Sequence, residues 1–269
     1  MNQPVSGPQA SASASFRWIV LAFVVSATTI NYLDRQIIAL LKPLLEDSFG
    51  WSDRDYGHVV SAFQFSAAMA YLGAGWFVDR IGVRWGYALA VGVWSLAGMA
   101  HAAARSVLDF VVARVALGIS EAANTPVAVK SIAEWFPLRE RALALGFMNS
   151  GSNLGAIITP LVVPGLALTF GWQMAFIVTG GLGFVWLLAW VAVYRTHRSR
   201  QRVTVEIAID RAPVPWRMLL RDRRTWAVAG AKLLTDPVWW FLLFWLPDFL
   251  HRQFALDLRT FGPPLAAVY

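Results

Sequence analysis

Three absences narrow the possibilities for this chain. It has no cysteine among its 269 residues, which excludes disulfides and thiol chemistry and leaves the redox compartment undetermined. Charged residues make up only 14% of the sequence, whereas a soluble domain carries about 25%. No phosphate-binding glycine loop, zinc-ligand spacing or serine nucleophile elbow is present. The composition therefore argues against a soluble globular domain, and the motifs support neither an enzyme nor a cofactor.

Long apolar blocks dominate the chain instead. Hydrophobic residues make up 57% of it and the mean hydropathy is +0.52. Several blocks reach about 20 residues, the length at which a helix crosses the hydrocarbon core of a bilayer. We predict an all-α integral membrane protein with spans at residues 16–41, 56–78, 85–104, 107–135, 142–168, 172–194 and 226–250, and the beginning of an eighth span at 261–269. The lipid bilayer is therefore an expected partner.

The same pattern divides the chain into four parts. A tail at residues 1–15 is predicted to be disordered and cytoplasmic, a six-span bundle covers 16–194, and the start of a second, truncated bundle covers 226–269. Between the bundles lies a predicted cytoplasmic linker, 195–225, which contains Pro213, Pro215 and dense arginine. These arginines are explained most simply as topology markers, with binding of anionic lipid headgroups as the alternative.

Basic residues are distributed unevenly between the two sides of the predicted spans. The formal net charge is +7, and nucleic-acid binding is one explanation of such a value. One side, however, holds most of the positive charge: Arg80, Arg84, Arg139, Arg141 and the nine arginines between residues 195 and 224. This is the positive-inside pattern of membrane proteins. We therefore predict a multi-pass protein of the plasma (inner) membrane with a cytoplasmic amino terminus and no nucleic-acid partner.

Ionisable residues inside the predicted spans indicate function, because charge is costly there unless it faces a cavity or a partner. Asp34 and Arg35 lie in the first span, and Arg114 and Glu121 share one face of the fourth, seven residues apart. We expect both arginines to present positive charge to a central cavity, where both acids partly neutralise it. An arginine fork suits a substrate carboxylate, and a carboxylate in such a site suits a proton carrier. The alternative is a set of structural ion pairs between the two spans.

Other residues in the spans are candidates for packing or for ligand contacts. Gly151 and Gly155 form a Gly-x-x-x-Gly face that allows close approach of another helix. Contact with a polyhydroxylated ligand and hydrogen bonding between helices are both open for Asn31, Tyr32, Gln64, Ser152 and Asn153. Trp239 and its neighbour Trp240 lie inside the seventh span, where they could line a cavity. Lys232 and Asp236 are explained most simply as a pair within one helix, and His101 is expected to be interfacial.

A short charged turn separates the second predicted span from the third. It runs from Gly75 to Arg84 and reads Gly-x-x-x-Asp-Arg-x-Gly-x-Arg, with Asp79, Arg80 and Gly82 at its centre. This pattern resembles the cytoplasmic loop between helices two and three of the major facilitator superfamily of transporters, with Val83 where a basic residue is common. Further segments resemble the organic-anion branch of that superfamily and, within it, the hexuronate transporters: 31–35, 113–123, 130–137 with 140–141, 147–156, 171–176 and 236–240.

The resemblance implies an alternating-access symporter that couples uptake of a sugar acid, such as galacturonate or glucuronate, or of a related carboxylate to protons, without a cofactor. Carried over by position, Arg35 would grip the substrate carboxylate. Asp34 and Glu121 would be proton-linked, with Arg114 as their electrostatic partner. Asp79 would act at a cytoplasmic gate formed by the charged turn. The expected small-molecule partners are therefore an organic anion and protons.

The family's architecture raises a question about completeness. Its members have twelve spans in two six-span halves, with the substrate between the halves. This chain offers one half, a linker, one more span and a stub too short to cross about 30 Å at roughly 1.5 Å per residue. We expect a fragment that does not transport alone, with the C-terminal half as a further candidate partner. The alternatives are a membrane scaffold or interaction protein, or a non-functional remnant, derived from such a transporter.

Overall fold

The part of the chain that the structure describes is almost entirely helical. The computed structural model describes residues 9–205 and 216–269, with side chains for residues 15–194 and 217–269. These parts contain no strand, and their α-helices are α1 Gln9–Phe49, α2 Asp53–Ile81, α3 Val83–Ala100, α4 Val107–Glu121, α5 Asn124–Trp135, α6 Leu138–Phe170, α7 Trp172–Val205, α8 Trp216–Arg221, α9 Arg223–Phe254 and α10 Gly262–Val268. The all-α prediction is confirmed.

Parts of two predicted segments lie outside the described residues. They are residues 1–8 of the predicted tail and residues 206–215 of the predicted linker, including Pro213 and Pro215. Residues 9–15 belong to α1, and α7 continues to Val205, so helical backbone extends into both predicted segments.

Most predicted spans correspond to one helix each, but the fourth is divided. Within the described residues, four helices are long and apolar enough to cross a membrane by themselves: α1 from Ser15, α6, α7 to Tyr194, and α9. The predicted span 107–135 is two helices, α4 and α5, of 15 and 12 residues. The break follows from Pro126, which lacks an N–H and whose ring clashes with the carbonyl of Ala122. Ala122 and Ala123 keep helical backbone angles (φ −57° and −74°), so α4 leads directly into α5 without an extended loop.

Close packing of α1 against α6 is made possible by glycine. A Cβ atom added at Gly151 would lie 2.7 Å from the Val25 carbonyl oxygen, and one at Gly155 would lie 2.6 Å from the Thr29 carbonyl oxygen. Both distances are well below van der Waals contact, so only glycine allows the two backbones to come this close. The Gly-x-x-x-Gly prediction is confirmed. This contact fixes the segment of α1 that carries Asp34 and Arg35.

Replacing Gly155 by leucine is expected to destabilise the bundle by about 1–3 kcal/mol, since overpacking forces the helices apart. Gly146 on the same helix is the matched control, because no atom lies within 4 Å of a Cβ added there. Thermal melting of the purified protein in detergent measures the difference. Equal melting temperatures for Gly155→Leu and Gly146→Leu would contradict the packing described here.

The segments that follow the first bundle contact it unevenly. The second half of α9 packs on α1 and buries Leu243, Phe244, Pro247 and Asp248. The first half of α9 is mostly exposed. α10 lies against α6, where Gly262 approaches the carbonyl oxygen of Pro160. The seventh span therefore meets the first bundle at one end only.

Candidate functional site

An ion pair lies at the centre of the first bundle. The Arg35 Nε of α1 donates a hydrogen bond to Glu121 Oε2 of α4 at 2.7 Å. The Arg35 side chain is 5% exposed and that of Glu121 is fully buried. Removing two charges from water costs free energy, and this cost is offset only by their mutual attraction together with further hydrogen bonds. Asn31 lies beside Glu121, one helical turn before Arg35. The structure thus unites two predicted charges from distant parts of the sequence.

Aromatic rings surround the Arg35 guanidinium. The ring centroids of Tyr32, Phe63 and Trp240 lie 5.3, 5.3 and 5.2 Å from its central carbon. Tyr32 and Trp240 are also stacked on each other, with centroids 6.0 Å apart and planes within 15°. Arginine attracts aromatic faces electrostatically, and more strongly when water is excluded. The three rings therefore pack around the guanidinium, whose Nε donates to Glu121.

Two further predicted charges are buried next to the ion pair. Arg114 Nη1 donates to the Arg35 carbonyl oxygen at 3.5 Å, and its guanidinium lies over Phe63 at 5.7 Å. Asp34 is 2% exposed and close enough to Glu121 and Arg114 for their charges to act on it. Within the described residues, both Asp34 carboxylate oxygens and the Arg114 Nε and Nη2 atoms lack a hydrogen-bond partner of good geometry. Buried polar atoms of this kind are normally satisfied by water or a ligand.

Predicted ligand-contact residues are distributed more widely than the sequence suggests. Gln64 is half-buried next to Phe63. Ser152 donates to the carbonyl oxygen of Asn149 in its own helix, and Asn153 is exposed. Trp239 contacts Tyr269, with ring centroids 6.0 Å apart, whereas its neighbour Trp240 contacts Arg35. The structure therefore brings Tyr32, Asn31 and Trp240 together around Arg35, and leaves Trp239 outside that group.

Some residues near the site were missed or misplaced by the sequence patterns. Phe63 contacts both buried guanidinium groups but has no distinguishing motif. The interfacial expectation for His101 is wrong, because the side chain is fully buried and its ring is stacked on Phe176 at 5.0 Å. The prediction of a Lys232–Asp236 pair is confirmed by a contact of 3.2 Å. The choice of Trp240 over Trp239 as the residue that contacts Arg35 depends on the rotation of α9 about its own axis.

The charged turn between α2 and α3 has a well-defined geometry. Gly82 ends α2 with φ +80°, a conformation that glycine adopts without strain. The exposed Asp79 accepts a hydrogen bond from Lys130 Nζ of α5 at 2.7 Å. Arg80 and Arg84 lie over Trp76 and Trp85, at 5.7 and 5.0 Å from the ring centroids. Within the described residues, no atom lies within 4 Å of a Cβ added at Gly75, so the space beside this glycine is open.

Known proteins are similar to this chain in sequence. Residues 24–269 match the Major Facilitator Superfamily. The hexuronate transporter of Escherichia coli strain K12 is 32% identical over 90% of this chain and 59% of its own length. The galacturonate transporter of Dickeya chrysanthemi is 31% identical over 90% of this chain and 74% of its own length.

A solved structure shows the same fold. A bacterial homolog to the human lysosomal transporter Spinster, in an inward-facing and occupied conformation, aligns with a TM-score of 0.74 and 22% identity. The alignment covers 94% of this chain and 58% of that one. The chain thus spans less than two thirds of the length of this structure and of the Escherichia coli transporter.

Proposed function

The chain belongs to the Major Facilitator Superfamily, and on that premise we propose that it carries the carboxylate-binding and proton-coupling groups of a sugar-acid symporter. The family and the relatives named above are transporters rather than enzymes. The observation that carries the proposal is the buried Arg35–Glu121 pair inside its aromatic cage. A hexuronate such as galacturonate or glucuronate is the substrate class favoured by the relatives' names.

The geometry suggests how anion and proton share one site. Glu121 accepts the hydrogen bond of the Arg35 Nε, and in this proposal the terminal N–H groups of the guanidinium serve the substrate carboxylate. Protonation of Glu121 removes the charge that competes with an incoming carboxylate, which then binds the guanidinium fork through two hydrogen bonds. A bound carboxylate in turn favours the protonated acid, because linkage between two sites is reciprocal. Proton and substrate therefore bind together and leave together.

The other buried groups have supporting roles in this proposal. Asp34 is a second proton-linked acid, and Arg114 keeps the pocket positive when both acids are ionised. Tyr32 and Trp240 offer flat apolar faces to the C–H surface of the sugar ring. Asn31 is within the same group, and Gln64, Ser152 and Asn153 are candidates for the sugar hydroxyls. Trp239 is a candidate for contact with the substrate only in a conformation in which α9 has rotated about its own axis.

The surroundings of the site fit alternating access between two halves. The substrate of such a transporter lies between its two bundles, and the Trp240 side of this pocket comes from α9 at the start of the second bundle. We infer that transport belongs to an assembly that also supplies the remaining helices of the second half. In the inner membrane the amino terminus is cytoplasmic, and Asp79 with Lys130 belongs to the cytoplasmic gate.

Substrate competition tests the proposed class. Cells that express this chain together with the remaining helices of the second half, in a strain without its own hexuronate uptake, are expected to take up labelled galacturonate. Unlabelled glucuronate is expected to compete, whereas galactose, which has the ring but lacks the carboxylate, is not. Competition by galactose as strong as that by glucuronate would contradict carboxylate recognition by Arg35.

A further inference from the structure

A second charged cluster lies outside the proposed substrate site. Lys42 of α1 is fully buried, and its Nζ contacts Asp248 Oδ1 of α9 at 2.6 Å, Glu46 Oε1 at 2.7 Å and Asp53 Oδ1 of α2 at 2.9 Å. Arg252 of α9 holds both Asp53 oxygens, at 2.5 and 3.0 Å, and contacts Asp248 at 3.2 Å. The cluster therefore joins three helices through two cations and three carboxylates.

This cluster lies directly beyond the proposed substrate site along the same two helices. Lys42 follows Arg35 by seven residues, so it lies on nearly the same face of α1, about 10 Å further along. On α9, Trp240 is followed at intervals of four residues by Phe244, Asp248 and Arg252. Between the two sites, the Tyr56 hydroxyl donates to the Phe244 carbonyl oxygen at 2.7 Å. The contact between α1 and α9 thus begins at the aromatic cage and ends at the cluster.

The cluster is the main polar attachment of α9 to the first bundle. Beyond Trp240 towards the start of α9, the described side chains are mostly exposed, and Lys232 and Asp236 bond to each other. Within the described residues, α9 is therefore attached to the first bundle at the Lys42 end, and its opposite end is mostly exposed. By the distribution of arginine, the Lys42 end faces outwards.

The ion pairs of the cluster are arranged so that α9 can separate from α1 and α2. If α9 moves away, Lys42 keeps Glu46 on its own helix and Asp53 on α2. Arg252 keeps Asp248, four residues before it on α9. Each side retains its own ion pairs, so no buried charge is left alone, which is the costly outcome for such a group.

The three carboxylates also have the spacing of a metal site, since one oxygen from each lies within 4.8 Å of the others. Lys42 Nζ, however, contacts all three carboxylates and supplies the positive charge that a cation would bring. Hydrogen bonds from Lys42 and then Arg252 lower the pKa of Asp53 below its usual range, so this carboxylate stays ionised in mildly acidic surroundings. Ion pairing within the protein accounts for the cluster.

We propose that Lys42, Glu46, Asp53, Asp248 and Arg252 form an outer ionic latch, which holds α9 over the substrate site and opens once in each transport cycle. The proposal rests on the proposed transport function. Asp248 and Arg252 are the moving part, and Lys42 with Asp53 is the fixed part. Because the Lys42–Asp248 pair is buried whereas Arg252 and Asp53 are half exposed, Asp248 is expected to contribute most and Arg252 less.

The absence of cysteine provides a direct test. Ala39 is fully buried between Arg35 and Lys42, so Ala39→Cys is a conservative reporter beneath the latch. Its reaction with a membrane-impermeant maleimide is followed in intact cells and in inverted vesicles. Asp248→Asn is expected to accelerate labelling by about tenfold or more and Arg252→Gln by about threefold, since each shifts the population towards the open state. Asp248→Glu, which keeps the carboxylate, is expected to restore slow labelling.

Two control variants separate a latch from a general loss of charge. Asp47→Asn removes the exposed carboxylate that follows Glu46 on α1, and Lys232→Gln removes an ion pair at the far end of α9. Both are expected to stay within about twofold of the parent, as exposed charges contribute little. The latch is overturned if Asp248→Asn and Arg252→Gln both label at the parental rate, or if Asp47→Asn accelerates labelling as much as Asp248→Asn. Acceleration seen only in inverted vesicles contradicts an outer latch, because it places the Lys42 end on the cytoplasmic side.

Labelling requires no substrate, so its outcome is independent of the galacturonate assay. Arg252→Gln changes a half-exposed side chain and remains informative if Asp248→Asn fails to fold. Parental labelling in the latch variants together with normal galacturonate competition would overturn the latch and leave the transport proposal intact.

Discussion

Replacing Arg35 by alanine is expected to abolish galacturonate uptake. The substitution removes the fork that would bind the carboxylate and leaves Glu121, which is fully buried, without its hydrogen-bond partner. Breaking a buried pair in this way costs about 3–5 kcal/mol, so loss of folding must be separated from loss of binding. Initial rates of labelled galacturonate uptake, normalised to the amount of protein in the membrane, measure the effect.

A double variant and a conservative variant make that separation. In Arg35→Ala with Glu121→Gln the Glu121 charge is no longer left without Arg35, so the amount of folded protein is expected to recover while uptake stays absent. Arg35→Lys keeps the charge but loses the planar fork, and it is expected to raise KM by about tenfold or more, equivalent to about 1.4 kcal/mol. Uptake retained by Arg35→Ala would remove Arg35 from the binding assignment.

Replacing Glu121 by glutamine is expected to separate accumulation from exchange. Glutamine has nearly the same shape as the protonated acid, so substrate can still enter and leave, but the proton-linked charge is gone. Proton-driven accumulation is therefore expected to fall by about 100-fold, as for other lost acid–base groups. Exchange of internal for external galacturonate is expected to stay within about threefold of the parent, because it needs no net proton movement.

The control for this experiment is an acid remote from the site. Asp109 is exposed and caps the start of α4 by accepting a hydrogen bond from the Arg105 backbone N–H, so Asp109→Asn is expected to leave both activities near the parental level. Asp34→Asn is expected to resemble Glu121→Gln. Equal losses of accumulation and exchange in Glu121→Gln would identify Glu121 as a structural residue.

The sequence predicted the helical architecture because span length and glycine spacing are local properties. Apolar blocks of about 20 residues indicate membrane helices without knowledge of their neighbours, and Gly151 and Gly155 mark a close approach whatever the partner. The break at Ala122 could also have been anticipated, since Pro126 lies four residues later. Because the break comes directly after Glu121, α4 ends at the Arg35–Glu121 ion pair.

The site itself was predicted only in part, because its geometry depends on contacts between distant helices. The cost of charge in a membrane pointed to Arg35 and Glu121, but their direct pairing required the arrangement of α1 against α4. The choice between Trp239 and Trp240 depended on the rotation of α9, which weak amphipathicity does not reveal. The Lys42 cluster draws on residues up to 210 positions apart (Lys42 and Arg252), and apart from Asp248 these residues lie in predicted loops.

Proton-driven accumulation in reconstituted vesicles tests the central proposal most directly. This chain, together with the remaining helices of the second half, is placed in liposomes of neutral interior, and labelled galacturonate is added outside at acidic or neutral pH. We predict accumulation above the external concentration only with acid outside, together with acidification of the interior and collapse by a protonophore. Equilibration to the external concentration at both pH values, without proton entry, would contradict a proton-coupled sugar-acid symporter.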